Sequence, residues 1–263
     1  MITSATAGVH MMPFERLFNA YLAEAKYEFM RTIRTIAFAA PFLIMPIAVY
    51  LLFGVVMAGD AIAKNPNLAN LVFAGFCVFA VIGPGIFGVG CSLAMERDAG
   101  LMKLRRALPA PVGSTIIAKM LAAMLFATLA VTPLVIAGVT LGRLTLSGGQ
   151  LAALVAVAVT GSIPFSAIGL FLGAYTSGSA SPAVANLLFL PMMWLSGMFI
   201  PLPKFLQTQT VFWPSFHLEQ LGLHAAGITE FAKFPVAMSI ACLVGVTVLC
   251  GGLAIVRLAR PES

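Results

Sequence analysis

Met95-Glu-Arg-Asp-Ala-Gly-Leu-Met-Lys-Leu-Arg-Arg-Ala-Leu-Pro-Ala-Pro111 concentrates charge in a chain that has very little of it. Fifteen Lys/Arg and nine Asp/Glu are spread over 263 residues. Glu96, Arg97, Asp98, Lys103, Arg105 and Arg106 all fall in this one stretch, and Lys119 follows at the edge of the next apolar run. Long uncharged runs flank it on both sides. A short basic segment between two membrane-length apolar runs stays on the inner side of a membrane. Its mixed-sign, helix-compatible pattern also suits docking on another protein.

Working outward, the composition is that of a membrane protein. Hydrophobic residues make up 60% and charged residues 9%, with a mean hydropathy of +1.02. Soluble globular domains do not have this balance. The formal charge of +6 sits beside apolar runs rather than in an aromatic-interleaved patch. It therefore reads as an orientation signal, and no nucleic acid is expected as a partner. Cys77, Cys91, Cys242 and Cys250 all lie inside apolar runs without a C-x-x-C spacing, which suits packing rather than a disulfide or metal.

Six spans are expected, over Ile36–Met57, Leu68–Ala94, Thr115–Leu141, Gln150–Thr176, Pro182–Ile200 and Pro235–Val256. Each is expected to cross a ~30 Å hydrocarbon core, which needs about 20 helical residues. The first run is too long for a signal peptide and should remain as a span. With the N-terminus inside, Arg16, Lys26, Arg31, Arg34, Arg97, Lys103, Arg105, Arg106, Lys119, Arg257 and Arg260 are inner. Only Lys64, Arg143, Lys204 and Lys233 are outer, a bias that places both termini in the cytoplasm.

Two segments are neither spans nor simple loops. Residues 13–35 place Phe14, Leu17, Phe18, Tyr21, Leu22, Ala25, Phe29 and Ile33 at helical spacing, with charged residues between them. That predicts an interfacial amphipathic helix, after a disordered tail over 1–12. The second is Pro201–Phe234, long and rich in apolar and aromatic residues. It predicts short outer helices, broken at Pro203 and Pro214, that dip back towards the membrane and roof a cavity. With neither tandem repeats nor low-complexity linkers, residues 36–263 read as one transmembrane domain.

Catalytic and ion-coupling chemistry leaves few traces. Lys119 alone enters a span, and it reads as a lysine snorkelling from a first turn. Proton relays place ionisable groups inside spans, which argues against proton coupling by this chain. Gly113 to Met120 lacks the second glycine and the Ser or Thr of a phosphate loop. His217 and His224 lie seven residues apart with Glu219 between them, which is not a zinc-hydrolase spacing. No metal site, catalytic set or resident cofactor is expected, and the chain is not read as an enzyme. The fourteen methionines fit packing better than copper binding. The pairs Gly138/Gly142 and Gly169/Gly173 permit close helix contact.

Three segments together resemble the ABC-2 type transporter permease family. One is Glu96-Arg97-Asp98-x-Gly100 with Leu104-Arg105 and Pro109-x-Pro111 ahead of Lys119. The next is Asn186-Leu-Leu-Phe-Leu-Pro191, running into Leu195-Ser196-Gly197-x-Phe199-x-Pro201 and then Pro203. The last is Trp213-Pro214 with His217-Leu-Glu219. The resemblance extends from Phe14 almost to the end of the chain. It implies two permease copies, a homodimer or a heterodimer, each bound to an ABC-type ATP-binding subunit that holds ATP and Mg. It further implies that Glu96 to Pro109 forms the coupling helix, so Glu96, Arg97, Asp98, Lys103, Arg105 and Arg106 would meet the ATPase. Glu96 or Asp98 could instead lock the loop to the N-terminal helix.

The second and fifth spans would line the translocation path, offering Phe73, Phe76, Phe79, Asn186, Phe189, Met193 and Trp194. The outer helices, with Phe212, Trp213, His217 and Glu219, would close its far end; His217 departs from the aromatic-rich pattern usual after the proline. An apolar, aromatic lining suits a hydrophobic or amphiphilic cargo such as a drug, lipid or peptide, and aromatic faces also stack on glycans. The expected function is export through a bacterial cytoplasmic (inner) membrane, among its lipids. A secondary transporter or channel working without ATP, or a subunit that transmits ATPase motion without moving cargo, stays open as an alternative.

Overall fold

The computed structural model describes residues 14–106, 112–199 and 202–260. Among them every regular element is helical and there is no strand. Five helices are long and apolar enough to cross a membrane: Ile36–Met57, Asn67–Asp98, Thr115–Leu141, Gly148–Tyr175 and Val236–Ala259. In hydrocarbon a helix satisfies all its backbone groups internally, so uncharged runs of this length have little alternative.

The second of these spans is the centre of the bundle. Its most apolar window is 83% buried, against 17% for the first and 22% for the last. Phe73, Phe76, Val81, Ile82 and Ile86 on it are at most 2% exposed. Midway, Pro84–Val89 widens into a π-helical turn. Proline has no N–H to donate and crowds the preceding turn, and a widened turn relieves both problems. The fourth span packs directly on this turn. A Cβ on Gly169 would lie 2.5 Å from the Gly85 carbonyl oxygen, and one on Gly173 would lie 2.5 Å from that of Gly90. Glycine at both positions lets the two backbones touch.

Two expectations change. The second span does not end at Ala94 but runs to Asp98, so Glu96, Arg97 and Asp98 sit on the helix end rather than in a loop. Gly100, at φ +73°, is the first residue able to reverse the chain. It leads into a short helix, Leu101–Arg106.

The segment Pro182–Ile200, expected as a span, forms the helix Ser181–Leu195 of only 15 residues. At 1.5 Å per residue it is about 22 Å long, short of a ~30 Å core. Gly197, at φ +81°, turns the chain away from that axis.

The N-terminal helix spans Phe14–Arg34. Phe18, Leu22 and Tyr27 are exposed, whereas Ala25 and the acidic Glu28 are buried. Tyr21, Glu24, Ala25, Glu28 and Phe29 lie on the edge towards the bundle. The expected tail over 1–12 lies outside the described residues.

Between Leu202 and Pro235 the chain forms Lys204–Gln207, a 3-10 turn over Thr208–Phe212, and the outer helix Pro214–Ala225. Pro203 immediately precedes the first, and Pro214 occupies the first turn of the last, where a missing N–H costs nothing.

Candidate functional site

Four charged side chains from three helices meet at the end of the bundle that carries the Glu96 segment. Lys119 Nζ donates to Glu96 Oε1 at 2.8 Å and to Glu28 Oε2 at 3.1 Å. Arg31 Nη1 donates to the same Glu96 oxygen, and lies 3.8 Å from Glu28 Oε2. The side chains of Lys119 and Glu96 are 2% and 1% exposed, and that of Glu28 is 8%. Two acids balance two bases, which is how buried charges become tolerable. Within this cluster, Glu96 Oε2 is fully buried and accepts no hydrogen bond. Just above, Thr115 donates to Glu24 at 3.0 Å.

Lys119 therefore does not snorkel; it is the hub that fastens the N-terminal helix to the second and third spans. Sequence reasoning missed this cluster because it read each charge against solvent. A signal was present: Glu28 lies three residues from Ala25, on the face that packs, and Glu96 and Lys119 each stand at the end of an otherwise uncharged run.

Arg97 and Asp98 perform a second fastening. Arg97 donates to the carbonyls of Gly173, at 3.1 Å, Ala174, and Thr176, at 2.7 Å. Those are final carbonyls of the fourth span, which have no partner within their own helix and favour a cation. The Asp98 carboxylate accepts from the Gly178 N–H at 2.6 Å. Of the two residues considered for a lock on the N-terminal helix, Glu96 reaches it through Arg31, while Asp98 turns to the fourth span. On the adjoining turn and short helix Met95, Leu101 and Leu104 are exposed, Leu104 at 67%. Lys103, Arg105 and Arg106 belong to that helix, and their side chains lie outside the described residues.

The residues expected along a path divide between two environments. Phe73, Phe76, Phe79, Phe189 and Met193 are buried within this one chain. They interlock: Phe79 and Phe189 have ring centroids 6.0 Å apart, and Phe76 and Phe199 4.9 Å. They pack as core rather than lining an opening. Asn186 and Trp194 instead occupy the exposed face of Ser181–Leu195, with Leu187 and Leu190. The spacing of 186, 190 and 194 is one helix side, exposed along its length, with Trp194 also meeting Phe199 edge-on, ring centroids 6.1 Å apart.

At the opposite end the outer helix is tied down along its length. The His217 imidazole donates from Nε2 to the Val211 carbonyl at 2.8 Å and faces the Ser239 hydroxyl through Nδ1 at 3.3 Å. His224 donates to the Phe234 carbonyl at 2.9 Å. Gln220 accepts from the Lys233 and Phe234 N–H groups at 2.9 and 3.1 Å. Trp213 donates to Gln209, and Phe212 is exposed. Both imidazoles are thus spent on backbone carbonyls.

Glu219 differs from its neighbours. It is 4% exposed, and no hydrogen bond or ion pair reaches its carboxyl among the described residues. Burial alone pushes that carboxyl up, to about 8. It borders a cavity of about 350 Å³ between the outer helix, the second span and the turn after Leu195. One carboxyl oxygen lies 3.5 Å from where a Cβ on Gly75 would be, so the carboxyl packs beside the second span.

The ABC-2 type transporter family model matches residues 19–218, from the N-terminal helix to the outer helix. A relative named "Putative transport permease YvfS", from Bacillus subtilis (strain 168), is 25% identical over 202 residues, covering 76% of this chain and 82% of its own length. The family is that of a transmembrane subunit associated with an ABC-type ATP-binding subunit. The chain is a multi-pass membrane protein and belongs to the ABC-2 type transporter family.

Proposed function

We propose that this permease forms half of an ATP-driven exporter. Two copies pair, as a homodimer, and each binds one ATP-binding subunit that holds ATP and Mg. The short helix Ser181–Leu195 completes a six-helix set, its exposed face with Asn186 and Trp194 turned to the second copy. Both termini and the Leu101–Arg106 helix lie in the cytoplasm of a bacterial inner membrane, and the N-terminal helix rests at the interface. Cargo is hydrophobic or amphiphilic.

The observation that carries this reading is the double fastening beside Leu101–Arg106. Lys119 and Glu96 join the N-terminal helix to the second and third spans, and Arg97 joins the second to the fourth. A partner pushing on the exposed Leu101 and Leu104 would move four helices together. The free energy would come from the partner's two nucleotide states, since a conformational change requires different contacts in each.

Purification from native membranes in mild detergent tests this. The expected result is a phosphate-loop ATPase at one copy per permease, with ATP-dependent movement of an amphiphile after reconstitution. Activity in liposomes without any ATPase would overturn the reading.

A further inference from the structure

We propose that the outer cavity beside Glu219 is a binding site for an organic ammonium ion, with Glu219 as its counter-ion and Phe216 and Phe231 as its aromatic walls. This deepens the export reading by naming a class of cargo, a cationic amphiphile, and rests on that reading only for the direction of travel.

A buried carboxyl that meets no donor is unusual, because each such group carries its desolvation cost uncompensated. Every polar side chain around Glu219 on the outer helix is committed: Gln220 to two backbone N–H groups, His217 to Val211 and Ser239, and His224 to Phe234. Glu219 alone is left, and it borders open space. A volume of about 350 Å³ lies at the lower end of the range of small-molecule sites, about 300–1,000 Å³.

The chemistry of the walls selects the ligand. Phe216 and Phe231 line the same cavity as the carboxyl. Aromatic faces attract cations and suit quaternary ammonium groups in particular. A carboxylate beside them adds the charge that a neutral cage lacks. Anions find no such welcome, since the single cation on the lining, Lys233, is exposed while the acid is buried. Gly75 lets the second span approach the turn after Leu195 at the cavity's edge, since a Cβ there would lie 2.5 Å from the Met198 carbonyl oxygen.

Binding a permanent cation requires the carboxylate form, so affinity should rise with pH as Glu219 releases its proton. The other titratable groups nearby are Lys233 on the lining, His217 and His224 on the same helix, and Lys204 in the preceding segment. Glu230, next to Phe231, accepts from Asn65 and Asn67, and the second span adds the buried thiol of Cys77. The second span carries its charges only at its far end, the fourth span and Ser181–Leu195 carry none, and the last span has Arg257 in its final turn.

The test uses the full chain in lipid nanodiscs and titrates benzyltrimethylammonium, whose charge does not change with pH, by calorimetry. The expected result is saturable binding that is tighter at pH 9 than at pH 7. Glu219→Gln, of nearly equal size, should lose at least ten-fold in affinity and lose the pH dependence, with an unchanged elution profile and melting point. Lys233→Ala should leave binding intact or tighten it. Absence of saturable binding, equal binding by Glu219→Gln, equal binding of benzenesulfonate, or weakening in Lys233→Ala would each overturn the proposal. No ATPase is needed, so this result stands or falls apart from the export reading.

Discussion

Lys119 holds two carboxylates in a place where none of the three could sit alone. Removing the ammonium while keeping the bulk, as in Lys119→Met, leaves Glu28 and Glu96, both buried, with Arg31 as the one base of the cluster. Breaking a buried pair in this way costs about 3–5 kcal/mol. The variant should melt far below the parent in detergent, as read by a thermal-shift assay. Lys119→Met combined with Glu96→Gln should recover much of the loss, because no unpaired charge then remains between them. If the single variant melts like the parent, the cluster is a surface feature and not a fastening.

At the scale of helices, the contact between the second and fourth spans depends on the missing side chains of Gly85, Gly90, Gly169 and Gly173. Gly169→Val would force a branched side chain against the Gly85 and Ile86 carbonyls, 2.5 and 2.9 Å from its first carbon. Backbone cannot move aside as a flexible side chain does. The strain should exceed the roughly 1–3 kcal/mol typical of overpacking, and a sharp loss of folded protein on size-exclusion chromatography is the expected outcome. Gly251, with nothing within 4 Å of its added carbon, is the matched control that should tolerate the same change.

The sequence shows Gly169 and Gly173 as a pair four apart, a pattern that many polytopic proteins share. It could not show which partner they meet, because that depends on the π-helical turn at Pro84. The same limit applies to Ser181–Leu195. Its apolar run looks long enough to span, and only the left-handed turn at Gly197 shortens it. By contrast, the breaks at Pro203 and Pro214 were legible, since a proline restricts the residue before it and suits a helix's first turn.

For the whole molecule, the orientation and the drive are what remain to be measured. The basic residues at the Glu96 end predict that cysteines placed near Arg31 and Arg260 react only with reagents that cross the membrane, and one near Lys233 with reagents that do not. Replacing Arg105 and Arg106 by Glu should abolish ATP-dependent transport while the permease still folds and inserts. Normal transport in that variant would remove the docking role from the Leu101–Arg106 helix. The path was less legible than the orientation. Phe73, Phe76 and Phe79 look alike whether they face a cargo or one another, and here they interlock with Phe189 and Phe199 around a closed core. Asn186 carries more information, as the single amide on an exposed helix face that is otherwise apolar.

The ionic hub also dictates an order of biosynthesis. Glu28 and Lys119 are separated by 91 positions. At about 5–20 residues per second, a ribosome needs on the order of 5–20 s to make the lysine after the acid. Throughout that interval the nascent N-terminal helix and the finished second span carry carboxylates with no lysine to receive them. Until then Arg31 is the base that can join the N-terminal helix to the second span, and a stalled chain ending before Lys119 would present the quality-control proteases with two carboxylates sharing one guanidinium.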